Sequence, residues 1–408
     1  MKMRGGSRGS RNFWFYTILS VLFVFSLHHN GVFDPILSPG LGKEEQSRHA
    51  DDQKQESRHT VQFSLKERSP RTEPRKCSPK QKVVFLKTHK TASTTAAAIF
   101  ERYGFVRNFT FAVSNSALKF HYAYPFSRTM VKERSEAVVG WRKEDGYDML
   151  TNHARFNKVE MDAVVHNATY ITILRNPIDQ LESAFGYFNL GVPFGFKKNE
   201  QLEKFMENPG KYFGTSKRFY WQFAKNNQLY DLGVDHANHD DVDFVMKAVK
   251  RLDSQFDLAM ITEYLDQSLV LLRRLMCWDF DDILYISKAI RSESHRLNMT
   301  NDLRRRIAEW NHADLLLYQY FNATLWQKIR EYGPEFDRDL LEFRKRLKDV
   351  FAECVNQSKK DQRDKREDKF VLKKDARPVC KELLMGDVEY TRLIQQRMWD
   401  RGILKPHP

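Results

Sequence analysis

The sequence predicts an α/β protein: a P-loop-like parallel sheet flanked by helices, a helical C-terminal part, and a transmembrane helix ahead of both. Three observations carry that reading. Short apolar runs rich in β-branched residues at positions 83–87, 170–174 and 257–262 are each followed by a helical pattern, the alternation expected of a parallel sheet covered on both faces. Beyond residue 300 the apolar residues recur almost wholly every three to four positions, as helices require. Residues 12–33 contain no Asp, Glu, Lys or Arg, and that length suffices to cross a bilayer.

From the N-terminus, Lys2, Arg4, Arg8 and Arg11 precede the charge-free stretch and Asp34 is the first charge after it. The positive-inside rule then makes residues 1–11 a cytoplasmic tail and residues 12–33 a signal anchor, with the rest translocated. A cleaved signal peptide is the rival reading. The long basic leader, the aromatic-rich apolar stretch and the poor cleavage site at His28-His29-Asn30 favour the anchor. Residues 34–81 are polar, mixed in charge and too poor in large apolar side chains to build a core, so they read as a disordered lumenal stem. Five N-x-[ST] sequons (Asn108, Asn167, Asn298, Asn322 and Asn356) and all four cysteines (Cys77, Cys277, Cys354 and Cys380) follow the anchor. In an oxidising compartment four cysteines allow two disulfides in three connectivities, and none has the spacing of a metal site.

Residues 82–400 read as one globular domain. Its first strand, 83–87, leads to a helix over 93–103 that Gly104 would stop. The strand 170–174 is followed by Asn176-Pro177, with proline placed for a first helical turn. The strand 257–262 precedes a helix over 265–276. Helices are predicted over 314–332, ending at Gly333, and over 336–356, and the charge run 359–374 reads as a solvated loop.

The formal net charge of +14 points to an anionic ligand or surface. It does not point to nucleic acid, because the charge is spread along the chain and no zinc-finger or RNA-recognition pattern occurs. Oligomeric state is left open, with self-association allowed.

Three segments carry chemistry. The first, FLKTHKTASTT at 85–95, puts Lys87 and Lys90 beside Thr91, Ala92, Ser93, Thr94 and Thr95 at a strand-to-helix junction. Backbone N–H groups and the positive end of a helix dipole favour an anion there, although a capped helix start with two surface lysines has the same composition. The loop lacks the glycines of GxxxxGK[ST] and no Walker-type magnesium ligand is evident, which disfavours an ATP-dependent kinase. The second, ITILRNPIDQLESAF at 171–185, places Arg175 at the carboxyl end of a buried strand and Ser183 on the helix after it, a pair able to clamp a second phosphate. The alternative is an Arg175 ion pair with Asp179 or Glu182. The third, TNHARFN at 151–157, offers His153 as a general base.

Together these segments resemble the galactose-3-O-sulfotransferase family of Golgi enzymes. The likeness continues in HYAYPF at 121–126, LVLLRRLMCWDFDDILY at 269–285 and WNHADLLLYQYFNATLW at 310–326, and covers roughly residues 82–396. The resemblance implies a sulfotransferase fold and a type II Golgi membrane protein that uses 3′-phosphoadenosine-5′-phosphosulfate (PAPS) and no metal. It also implies an acceptor hydroxyl at the 3-position of terminal β-galactose on a glycolipid or glycoprotein. In these terms residues 91–95 bind the 5′-phosphosulfate and Lys90 meets the bridging oxygen, with Lys87 as an accessory cation. Arg175 and Ser183 hold the 3′-phosphate, and His153 takes the hydroxyl proton. His121, Tyr122 and Arg155 are candidate acceptor contacts. Ala92 departs from the glycine expected in many relatives, and alanine fits there if the backbone avoids positive φ. A glycosaminoglycan sulfotransferase and a non-catalytic lumenal glycan-binding protein are the competing readings.

Overall fold

The computed structural model describes residues 77–115, 120–121, 123–132, 146–197, 200–213, 219–287, 290–291, 299–360 and 367–404. The predicted tail, anchor and nearly all of the stem, together with Tyr122 and Asn298, lie outside the described residues. Among the described residues no helix is long and apolar enough to cross a membrane.

The core is a four-stranded sheet of order β2-β1-β3-β4, comprising β1 (Val83–Leu86), β2 (Met149–Leu150), β3 (Thr169–Leu174) and β4 (Leu258–Ile261). Every pairing is parallel, with Val83 opposite Met149 and Thr169, and Ile171 opposite Leu258. All residues of the four strands are buried. Burial on both faces is why their sequences are continuous apolar runs rather than alternating ones.

Helices cover both faces: α1 (Ser93–Val106), α2 (Pro177–Phe188), α3 (Asn227–Asp231), α4 (Val242–Gln255) and α5 (Leu265–Met276). Proline does open α2, and the Asn176 side chain caps it by accepting the Ile178 N–H. The expected stop of α1 at Gly104 does not occur, and the helix continues to Val106. Gly104 is buried, and a Cβ there would lie 2.6 Å from Phe111 Cζ and 2.8 Å from Met149 Sδ. Close packing against β2 is therefore what requires glycine.

The C-terminal part is helical as expected, with α6 (Asn301–Trp310), α7 (His312–Tyr332), α8 (Glu335–Cys354) and α9 (Asp387–Asp400). The charge run 359–374 is not simply a solvated loop. β6 (Val355–Lys360), which enters it, pairs antiparallel with β7 (Glu367–Leu372) inside it, and Ile290–Arg291 adds β5 to the other side of β7. Phe370 and Leu372 pack against the core, while Lys359, Lys360, Glu367, Asp368 and Lys369 supply the charge of these strands.

Disulfides join Cys77 to Cys277, just past α5, and Cys354, at the end of α8, to Cys380. Of the described sequons, Asn108, Asn167 and Asn356 are exposed, whereas Asn322 lies within α7 with its Oδ1 shut off from water.

Candidate active site

All three predicted segments leave the carboxyl edge of the same sheet, where open parallel sheets place ligands. The loop 87–92 follows β1, His153 follows β2, and Arg175 follows β3. β4 contributes Thr262 and Glu263.

The loop after β1 is fixed by its carbonyls, each engaged by a different side chain. His153 Nδ1 meets the Lys87 oxygen at 3.0 Å and Ser93 Oγ donates to Thr88 at 2.6 Å. Gln180 Nε2 donates to His89 at 3.0 Å, Arg175 Nη1 to Lys90 at 3.2 Å, and Thr262 Oγ1 to Thr91 at 2.8 Å. In a trans peptide the C=O and the following N–H point in opposite directions. Holding these carbonyls to the protein therefore turns the N–H groups of Lys90, Thr91 and Ala92 to the other side, next to the first-turn N–H groups of α1.

The backbone achieves this by alternating handedness, with Lys90 at φ 62° and Ala92 at φ 57°. The expectation that Ala92 avoids positive φ is thus corrected. A left-handed residue with a Cβ costs about 1–2 kcal/mol, and the alternation is what builds an anion-binding nest of amides. The hydroxyls of Thr91 and Ser93 are buried and directed back to Thr88, so they brace the loop. Thr94 is half-buried in the first turn, and Thr95 lies on the helix face toward Leu284 and Glu382.

The cations differ in accessibility. Lys90 is half-buried, and its Nζ sits 3.7 Å above the Tyr187 ring. Lys87 is 3% exposed and ion-paired with Asp387 at the start of α9. Arg175 is half-buried beside the Lys90 carbonyl, and Asp179, one of its alternative partners, faces Arg304 at 3.8 Å. Ser183 is partly exposed in the second turn of α2. At the end of β4, Glu263 Oε1 accepts the Asn176 N–H at 3.0 Å, while Oε2 is shut off from water without a hydrogen-bond partner. Withdrawal from water, opposed by the charge of Arg175, raises the Glu263 carboxyl to about 7.

A carbonyl oxygen can only accept, so the 3.0 Å contact with Lys87 places the hydrogen of neutral His153 on Nδ1 and leaves the lone pair on Nε2. His153 stacks on His89, with centroids 4.1 Å apart and planes within 12°. His89 is buried, and Asp231 accepts both its backbone N–H at 2.8 Å and its Nδ1–H at 2.9 Å. The sequence reading named neither His89 nor Asp231. His89 stands inside the first segment, but its partner is 142 residues away, a distance that single-chain patterns do not bridge. Thr262 and Tyr187 were also missed, although the end of the 257–262 run was a signal for the former.

Of the acceptor candidates, His121 is exposed and stacks on Tyr124 at 5.4 Å, and Tyr124 is itself 66% exposed. Arg155 is 3% exposed, with Nε donating to the Tyr230 carbonyl at 2.9 Å and Nη2 to Asp235 at 2.6 Å. Its guanidinium is committed within the protein. Among the described residues no group of three or more His, Cys, Asp or Glu side chains is arranged to hold a metal.

Comparison with known proteins places the chain in one family. The galactose-3-O-sulfotransferase family model matches residues 52–386. Galactosylceramide sulfotransferase of Mus musculus is 34% identical over 284 residues, covering 69% of this chain and 65% of that protein. Galactose-3-O-sulfotransferase 3 of Mus musculus is 37% identical over 276 residues, 65% of this chain and 62% of its own. Galactose-3-O-sulfotransferase 2 of Mus musculus is 33% identical over 283 residues, 68% and 70% respectively. The match thus spans slightly less than two thirds of the galactosylceramide sulfotransferase. On the extent of the family match, this chain belongs to the galactose-3-O-sulfotransferase family.

Proposed function

We propose that this chain is a PAPS-dependent sulfotransferase acting on the 3-hydroxyl of terminal β-galactose in a glycolipid or glycoprotein glycan. The observation that carries the proposal is the loop after β1. Its carbonyls are all drawn to side chains and its amides are turned toward the start of α1, with the Lys90 ammonium over the Tyr187 ring and the Arg175 guanidinium at the Lys90 carbonyl. This donor set suits an anion with two separated phosphate-type groups.

PAPS, when bound, supplies an activated sulfuryl group whose leaving oxygen gains negative charge. The amides of residues 90–94 and the Lys90 ammonium stabilise that charge, and Arg175 with Ser183 holds the 3′-phosphate. Preorganised dipoles of this kind are the main source of acceleration in such transfers. His153 accepts the proton of the attacking hydroxyl at Nε2, since its Nδ1–H is held by the Lys87 carbonyl. The sheet edge brings these groups together from separate strands.

The charge layout of residues 1–34 and the disulfides Cys77–Cys277 and Cys354–Cys380 support a type II Golgi protein with a lumenal domain. The acceptor names of the relatives support galactose over heparan.

The full chain, purified in detergent, should transfer label from sulfate-labelled PAPS to galactosylceramide or N-acetyllactosamine, and not to a galactoside blocked at the 3-hydroxyl. Label on heparan instead would overturn the acceptor, and glycan binding with no transfer at all would overturn the enzyme.

A further inference from the structure

We infer that Gln228 is a positioning residue for the donor site, and that the buried stretch 226–231 around it is the strut that sets the loop after β1 and Arg175 in register. The inference rests on the donor site just proposed.

Gln228 is 0% exposed, and its side-chain amide closes a two-point bond with the backbone of Arg175. Oε1 accepts the Arg175 N–H at 2.8 Å and Nε2 donates to the Arg175 carbonyl at 2.9 Å. Arg175 is the first residue past the end of β3, so the amide plays the part of a neighbouring strand where the sheet offers none. With the backbone pinned, the Arg175 guanidinium reaches the Lys90 carbonyl.

The rest of the stretch holds the other half of the site. Asp231 accepts the His89 N–H and Nδ1–H, and Asn227 Oδ1 accepts Gln180 Nε2 at 2.6 Å, the same nitrogen that holds the His89 carbonyl. One short helix therefore fixes residues on both the β1 and β3 loops.

Its own foundation is the start of α7. Asp314, 0% exposed, accepts the Gln228 N–H at 2.9 Å and the Leu229 N–H at 2.8 Å. Asn311 Oδ1 accepts the Asn226 N–H at 2.8 Å, and Asn226 Oδ1 accepts the Asp314 N–H at 3.1 Å. The WNHAD stretch at 310–314, which the sequence reading used only as part of the family likeness, gains a structural role in this way. The Nδ2 atoms of Asn226 and Asn227 are buried without a hydrogen-bond partner, but every bond named above is made, and breaking one of them leaves a further buried polar group unpaired at a cost.

The test uses the full chain with adenosine 3′,5′-bisphosphate as probe, by titration calorimetry, alongside steady-state kinetics. Gln228→Leu should weaken bisphosphate affinity about tenfold through the two backbone groups left unpaired, raising donor KM while acceptor KM stays at the wild-type value. Gln228→Glu separates positioning from mere folding. Its carboxylate accepts from Arg175 but cannot donate, whereas its protonated form does both. The affinity ratio of Gln228→Glu to wild type should therefore approach one at pH 5 and fall away at pH 8. Asp231, Asp314, His89, Arg175 and Glu263 surround the site in both proteins, so the ratio reports the change at position 228 together with its coupling to these neighbours. Wild-type affinity in both folded variants, or a loss in Gln228→Glu that ignores pH, overturns the inference. Failure of the wild-type chain to bind the bisphosphate overturns the donor site itself, and the inference with it.

Discussion

Along the carboxyl edge of the parallel sheet, the loop after β1 is held by side chains from α1, α2 and the ends of β2, β3 and β4, whereas the segment around His121 and Tyr124 presents open rings. In the loop, neighbouring carbonyls each have a dedicated partner and two residues are held left-handed. In the other segment Phe120 and Phe126 are buried in edge-to-face contact at 5.1 Å, and the Ala123 carbonyl accepts the Tyr230 hydroxyl at 2.9 Å. Between them His121 and Tyr124 face solvent. The difference teaches that the loop after β1 is held down to single peptide planes, while the segment around His121 and Tyr124 offers exposed rings, as the proposed donor and acceptor sides would need.

The contrast breaks most sharply at His153. His153→Ala should lower kcat by about 10²–10⁴-fold, the usual contribution of a positioned base, with the affinity for adenosine 3′,5′-bisphosphate unchanged in calorimetry. Next in size is Arg175→Ala, where loss of a charged clamp worth about 1.5–3 kcal/mol should raise donor KM roughly ten- to a hundredfold. Acceptor KM should not move in that variant, and a change confined to the acceptor would place Arg175 on the wrong side. A smaller effect belongs to the open side. Tyr124→Ala should raise acceptor KM by a few-fold, about 0.5–1.5 kcal/mol for a lost ring contact, and leave donor KM alone.

The smallest effect is on stability. Glu263 has a folded-state carboxyl raised to about 7 from its ordinary 4.5. Its contribution is fully present below pH 4.5 and is lost as pH rises through 7. Glu263→Gln should remove that slope, so its Tm relative to wild type improves from pH 5 to pH 8 by a few °C, the shift that roughly two pH units of linkage supply in a domain of this size. A constant difference in scanning calorimetry across that range would discount the raised carboxyl.

Much of the sheet was legible because strands buried on both faces carry uninterrupted apolar runs, and the helix 265–276 is found with the expected bounds. The two-residue β2 and the hairpin of β6 and β7 were not. The first is too short to show a period, and the second hides two inward residues, Phe370 and Leu372, among charges. Gly104 misled because a glycine demanded by packing looks the same in sequence as one that ends a helix. At the site, the residues that leave strand ends were readable from position alone. Their supports were not, since His89 to Asp231 and Arg175 to Gln228 are bonds between elements far apart in the chain. The left-handed Ala92 could not be read either, because residue type points away from it.

The most direct test of the account is equilibrium binding of adenosine 3′,5′-bisphosphate, without acceptor, to the wild-type chain and to the His153→Ala and Arg175→Ala variants. A donor cradle built separately from the proton-accepting histidine predicts equal affinity for wild type and His153→Ala, and clear weakening in Arg175→Ala. Equal weakening in both variants, or no binding by the wild-type chain, would contradict it.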